Sequence, residues 1–112
     1  SNGLTKRCGS LGYMAPEILK GEKYDEKTDI FSAGVVMHLL LMSSLPFKGS
    51  DVTETINLTL KGDISKEDPR WEEHSAESYN FIKALTDSEP TQRPSAEEAL
   101  EMLEQLHSKE KC

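Results

Sequence analysis

Three histidines, two cysteines and 20 acidic side chains are the groups with which this 112-residue chain could hold a metal, shuttle protons or activate a nucleophile. Their spacing closes most of those routes. His38, His74 and His107 lie far apart, with no cysteine beside them and no acidic pair at ligand spacing, so no metal site is expected. Cys8 sits in a glycine-flanked loop and Cys112 at the far end, a pattern that suits neither a disulfide framework nor a zinc cluster and that fits a reducing, cytoplasmic setting. No serine, histidine and aspartate stand at a recognisable triad spacing. His38 falls inside the apolar run Val35-Val36-Met37-His38-Leu39-Leu40-Leu41-Met42, where an imidazole reads as a satisfied core group rather than a ligand. What remains is a series of short segments in a fixed order: Cys8-Gly9-Ser10-Leu11-Gly12-Tyr13-Met14-Ala15-Pro16-Glu17, Asp29-Ile30-Phe31-Ser32-Ala33-Gly34, Leu45-Pro46-Phe47-Lys48-Gly49 and Glu89-Pro90-Thr91-Gln92-Arg93-Pro94.

The elements that position these segments read as helices joined by loops. Residues 1–12 carry three glycines and no apolar period, so they read as a loop. Pro16 is tolerated only in the first turn of a helix, which suggests a short helix over 16–19 that Gly21 ends. Asp25-Glu26-Lys27-Thr28 offers an N-cap with acidic residues in the first turn, and the run from there to Met42 is apolar almost all the way round, so that helix must be buried on most faces. Ser43 to Gly49 is a breaker segment, after which Asp51 and Glu54 at capping-box spacing open a helix ending near Lys61-Gly62-Asp63. From Asp63 to His74 the chain is charged and holds Pro69 and Trp71, an irregular loop pinned by one large aromatic.

Ser75 caps a helix over 76–86 whose Tyr79, Phe81, Ile82 and Leu85 share one face. Ser95 with Glu98 is a capping box opening the last helix, expected to bury Ala96, Ala99, Leu100, Leu103 and Leu106 while Glu97, Glu101 and Glu104 form a solvated face. No internal repeat, low-complexity tract or strand pattern occurs, so the fold class is all-α, with about five helices after a long N-terminal loop.

Size and charge restrict the partners. A chain of 112 residues and 12.5 kDa is one domain or part of one. A net charge of −7 and a pI near 4.9, with Lys6-Arg7 the longest cationic cluster, argue against nucleic acid and anionic membranes, which need a basic patch. Residues 35–42 are too short to cross a bilayer, so a soluble chain is expected.

The ordered segments together resemble the C-terminal portion of the large lobe of the eukaryotic protein kinase domain. Ala15-Pro16-Glu17 matches the A-P-E motif that closes the activation segment. Asp29 to Gly34 resembles D-x-W-S-x-G with Phe31 in the tryptophan position, Leu45 to Gly49 resembles P-P-F-x-G, and Glu89 to Pro94 resembles D-P-x-x-R-P. A lone A-P-E carries little weight, and the spacing and order carry the resemblance. It implies an activation segment and A-P-E region over 1–24 and a helical subdomain over 25–112.

The resemblance also implies site roles. Glu17 pairs with Arg93 in the interior of the lobe, where a planar guanidinium can grip a carboxylate bidentately. Asp29 accepts backbone N–H groups from the catalytic loop, or else acts only as a first-turn carboxylate favoured by the helix dipole. Ser10, Leu11, Gly12 and Tyr13 form the substrate-docking loop; Ser10 resembles the serine/threonine branch, and Leu11 departs from the family's usual proline. Thr5, three residues before Cys8, is a candidate phosphorylation position. Asp68-Pro69-Arg70-Trp71 ahead of Ser75 is similar to the calcium/calmodulin-dependent group.

Phosphoryl transfer in this family relies on a Gly-rich loop, a strand lysine, a catalytic-loop aspartate and asparagine, and the aspartate of D-F-G. Gly-x-Gly-x-x-Gly, Val-Ala-Ile-Lys, His-Arg-Asp and Asp-Phe-Gly do not occur in these 112 residues. ATP and magnesium are therefore expected for a full-length parent and not for this chain, which holds no catalytic residue and should be inactive alone. The alternative is a non-catalytic, kinase-like interaction module. The expected partner is a protein or peptide substrate of the parent. The helix over 26–42 should have one bare side, through which the chain would associate with itself.

Overall fold

A computed structural model describes the backbone of residues 12–111 and the side chains of residues 12–106. Among the described residues five α-helices follow one another, α1 (Pro16–Leu19), α2 (Glu26–Met42), α3 (Val52–Lys61), α4 (Ala76–Leu85) and α5 (Ala96–Lys111), with 3-10 turns over Pro69–Glu73 and Pro90–Gln92. No strand occurs among the described residues, and none of the described helices is long and apolar enough to cross a membrane.

Helix α2 is the axis of the structure, and its start is fixed by side chains. Asp25 Oδ1 accepts from the Lys27 N–H at 2.9 Å, and the Asp25 N–H donates to Thr28 Oγ1 at 3.2 Å, so two donors that the first turn would orphan are satisfied. Ile30, Phe31, Gly34, Val35, His38 and Met42 are buried. The opposite stripe, Asp29, Ala33, Val36 and Leu40, is exposed, Leu40 at 75%. Gly34 is where α4 crosses: a Cβ there would lie 2.7 Å from both Leu85 Cβ and Thr86 Cγ2, so only a hydrogen fits between the two helices. The helix ends on Ser43 in the left-handed region (φ 59°), whose N–H bonds Leu39 O.

Two apolar clusters flank α2. Phe31, Val35, Met42, Phe47, Ile64, Trp71, Tyr79 and Ile82 pack on one side with Ala15. Ile30, Phe81, Leu85 and Leu106 form the other, joined by Ala99 and Met102. Helices α3 and α1 pack together, and α5 rests on α4.

The last helix corrects one expectation. Ala99, Met102 and Leu106 make its packed face, while Leu100 and Leu103 are 57% and 43% exposed and Ala96 is also exposed. Apolar residues occupy two neighbouring stripes on α5, and the cluster formed with α4 and with Ile30 and Met37 of α2 takes up only one of them. The loop over 63–74 is pinned by Trp71 as expected, with the added regularity of a 3-10 turn that Asp68 opens by accepting from the Arg70 N–H at 2.9 Å.

Candidate functional site

Arg93 and Glu17 meet in the interior, 76 positions apart in sequence. Arg93 Nη1 donates to Glu17 Oε2 and Nη2 to Glu17 Oε1, both at 2.8 Å, a fork in which both carboxylate oxygens are held. The two residues are 2% and 3% exposed. The rest of the guanidinium is also used: Nε donates to Asp87 O at 2.7 Å, Nη1 donates to Lys27 O at 2.8 Å, and Cζ lies 5.0 Å from the Phe31 ring centroid. One side chain therefore binds the first turn of α1, the first turn of α2 and the loop after α4.

Two residues that the motifs do not mark complete this junction. Thr28 donates its hydroxyl to Glu17 Oε2 at 2.8 Å while accepting from the Asp25 N–H, so one oxygen serves both the ion pair and the cap of α2. Lys27 Nζ donates to Arg93 O at 2.5 Å, and its own carbonyl accepts from Arg93. Neither side chain is legible as a partner from sequence, because Lys27 and Thr28 look like ordinary first-turn residues until Arg93 arrives from 66 positions away. Burial pushes the Glu17 carboxyl up, but hydrogen bonds from Arg93, its own backbone N–H and Thr28, with the Arg93 charge, outweigh that and hold it below its ordinary value.

The other expected site residues are placed differently. Gly12 is buried and Tyr13 exposed, and Tyr13 O accepts from Ser32 Oγ at 3.4 Å, which ties this segment to α2. Asp29 stands apart from the ion pair, exposed in the first turn of α2, and its carboxylate accepts from the Tyr24 hydroxyl. That bond, with the Asp29 charge, raises the Tyr24 pKa. Ser10, Leu11 and Thr5 lie outside the described residues.

A second polar junction closes the other end of α2. Arg70 Nη1 donates to Met42 O at 2.5 Å and His74 Nε2 to Leu41 O at 3.1 Å, while His38 Nδ1 donates to Ser44 O at 2.6 Å. Carbonyls that the last turn leaves without amide partners are thus met by side chains, two of them from the segment around Trp71. Trp71 is 6% exposed and meets Tyr79 edge-on with ring centroids 5.0 Å apart. Asp68 grips Arg70 at 2.7 Å, and its hydrogen bonds with Arg70 hold its carboxyl down to about 2.

Both junctions fix geometry through bonds among side chains and backbone carbonyls. Among the described residues no three His, Cys, Asp or Glu side chains converge on a point that could take a metal ion.

Residues 1–103 match the family described as the protein kinase domain. The chain is 35% identical over 97 residues to the calcium/calmodulin-dependent protein kinase cmkA of Emericella nidulans, covering 87% of this chain and 23% of that protein. To serine/threonine-protein kinase 33 of Mus musculus it is 36% identical over 94 residues, covering 84% and 19%. Among solved structures, the twitchin kinase region from C. elegans superposes with a TM-score of 0.79 at 30% identity, over 84% of this chain and 17% of that one. The chain thus spans about a fifth of the length of the curated relatives named here.

Proposed function

The chain belongs to the protein kinase domain family, and on that premise we propose that it supplies the peptide-docking and scaffold elements of a serine/threonine kinase whose full-length form moves the ATP γ-phosphate to a protein hydroxyl. The observation that carries this reading is the buried fork between Glu17 and Arg93, which anchors the segment carrying Gly12 and Tyr13 to the helical body. Ser10, Leu11, Gly12 and Tyr13 would receive the substrate residue beside the phosphoacceptor, and Asp29 would brace a catalytic loop from below. The residues present do not fit ATP and magnesium: the 112 residues contain no Gly-rich cradle and no D-F-G, and the described carboxylates do not converge. No step of phosphoryl transfer is assigned to them.

The expected outcome is that the purified 112-residue chain shows no saturable heat when titrated with ATP and magnesium, and moves no radiolabelled phosphate to a generic serine/threonine substrate. Saturable nucleotide binding would overturn the reading. The exposed stripe of Ala33, Val36 and Leu40 on α2 supports self-association of the isolated chain, since each large apolar side chain left in water forgoes roughly 1.5–3 kcal/mol. Sedimentation velocity is expected to show a concentration-dependent species larger than the monomer. A compact monomer that binds no hydrophobic dye would contradict it.

A further inference from the structure

The cavity at the C-terminal end of α2 contains one group that neither junction uses. His38 is 4% exposed, and its ring lines a cavity of about 250 Å³ together with Ser44, Asp63, Ser65, Asp68, Arg70 and Trp71. A carbonyl can only accept, so the bond to Ser44 O assigns the ring proton to Nδ1 and leaves Nε2 with a lone pair. No donor meets that lone pair among the described residues. Every fully buried side-chain nitrogen and oxygen among them has a partner, so Nε2 is not sealed in and opens on the cavity. Burial lowers the His38 pKa, which keeps the lone pair available at neutral pH.

We propose that this cavity binds an alkylammonium group, carried by a lysine side chain of another polypeptide or by a free amine, with His38 Nε2 and the Asp63 carboxylate as its acceptors. The site is separate from the role proposed for residues 10–13. Its spare capacity lies in acceptors, because the strong donor that lines it is spent. Arg70 gives Nη1 to Met42 O and Ser44 Oγ, and Nε and Nη2 to Asp68. Asp68 and Arg70 thereby offset each other, and they act on the His38 ring in opposite directions. Asp63 is not spent in this way: its ion pair with Lys61 is 4.0 Å long, with side chains 69% and 72% exposed, a contact worth little in water. A cation in the cavity gains that carboxylate and the field of a chain of net charge −7. An anion would meet the same charges with only the Ser44 and Ser65 hydroxyls to donate. Leu45, Pro46 and Trp71 offer apolar surface along which an aliphatic stem can lie. The cavity is far larger than the ~30 Å³ share of one water and smaller than the roughly 300–1,000 Å³ of drug-sized pockets, so its size suits a single side chain.

The test titrates the 112-residue chain at about pH 7.5, above the ordinary histidine range, with three probes. One is lysine capped at both ends, the second its Nζ-acetylated form, which keeps the stem and loses the charge, and the third cadaverine, a free amine. Trp71, the one tryptophan of the sequence, reports occupancy by its fluorescence, and imidazole nitrogen NMR reports on His38. Capped lysine or cadaverine is expected to change the Trp71 signal saturably and to shift the His38 Nε2 resonance along the same isotherm, and the acetylated form to bind several-fold more weakly. Asp63→Asn, at an exposed position, is expected to weaken the amine several-fold while leaving the unfolding midpoint unchanged. Tighter binding of capped lysine assigns the site to a polypeptide and tighter binding of cadaverine to a free amine; either upholds the chemistry. Four results would each overturn it: no saturable change with either amine, equal binding of the acetylated form, a fluorescence change that leaves His38 Nε2 unmoved, or full affinity in Asp63→Asn.

Discussion

Replacing Arg93 with alanine is expected to lower the unfolding free energy by roughly 3–5 kcal/mol, the range for removing one partner of a buried ion pair. The loss has a specific source. Without the guanidinium, Glu17 keeps its position in a site 3% exposed with only Thr28 and a backbone N–H to hold its charge, and the carbonyls of Lys27 and Asp87 lose their donor together. Glu17→Gln should cost less, because its amide oxygen still accepts one bond. The pH dependence follows from the lowered Glu17 pKa: the contribution is present above the ordinary carboxylate range and is lost as the pH falls through the folded-state value. Urea unfolding monitored by circular dichroism at several pH values should show a shallower acid limb in Glu17→Gln than in the wild type. Arg93→Ala within about 1 kcal/mol of wild type would show that the fork contributes little.

Trp71→Ala should be of similar size, roughly 3–5 kcal/mol, as for other buried aromatic truncations. Trp71 does more than fill space. It sits between Arg70 and His74 on the path of the chain, so the indole sets where their donors meet Met42 O and Leu41 O. It also packs edge-on against His38, His74 and Tyr79 at 5.8, 6.1 and 5.0 Å. Loss of the ring should fray the end of α2 as well as the loop, so exchange of the α2 C-terminal amides is expected to accelerate together with that of residues 63–74. Trp71→Phe should retain most of the stability. A Trp71→Ala chain that unfolds at the wild-type urea concentration would remove the indole from any account of this junction.

Local signals carried most of the element boundaries. Asp25, Asp51, Ser75 and Ser95 each accept from an amide of the turn they open, and Gly21 and Gly62 take the positive φ expected of helix-ending glycines. The ion pair was legible through motif order, because Ala15-Pro16-Glu17 and Gln92-Arg93-Pro94 mean little singly. What local patterning did not yield is what depends on meetings far apart in sequence. The roles of Lys27 and Thr28 exist only once Arg93 docks, and the carbonyls at the end of α2 gain Arg70 and His74 from about 30 positions on. The face of α5 was misjudged because Leu100 and Leu103 look as suited to burial as Met102 and Leu106; the position of α4 decides between them. Gly34 was visible as a motif letter, yet its reason, the close approach of Leu85 and Thr86, is tertiary.

The central claim is that one buried fork ties the segment carrying Gly12 and Tyr13 to the helical body, and a double-mutant cycle on Glu17 and Arg93 tests it most directly. Unfolding free energies of the wild type, Glu17→Gln, Arg93→Ala and the double variant give the coupling alone. The double variant is expected to be less destabilised than the sum of the singles by about 0.5–3 kcal/mol, the range for residues in direct contact. Additivity within about 0.3–0.5 kcal/mol, the behaviour of independent sites, would mean that the two side chains do not act as a pair and would contradict the account.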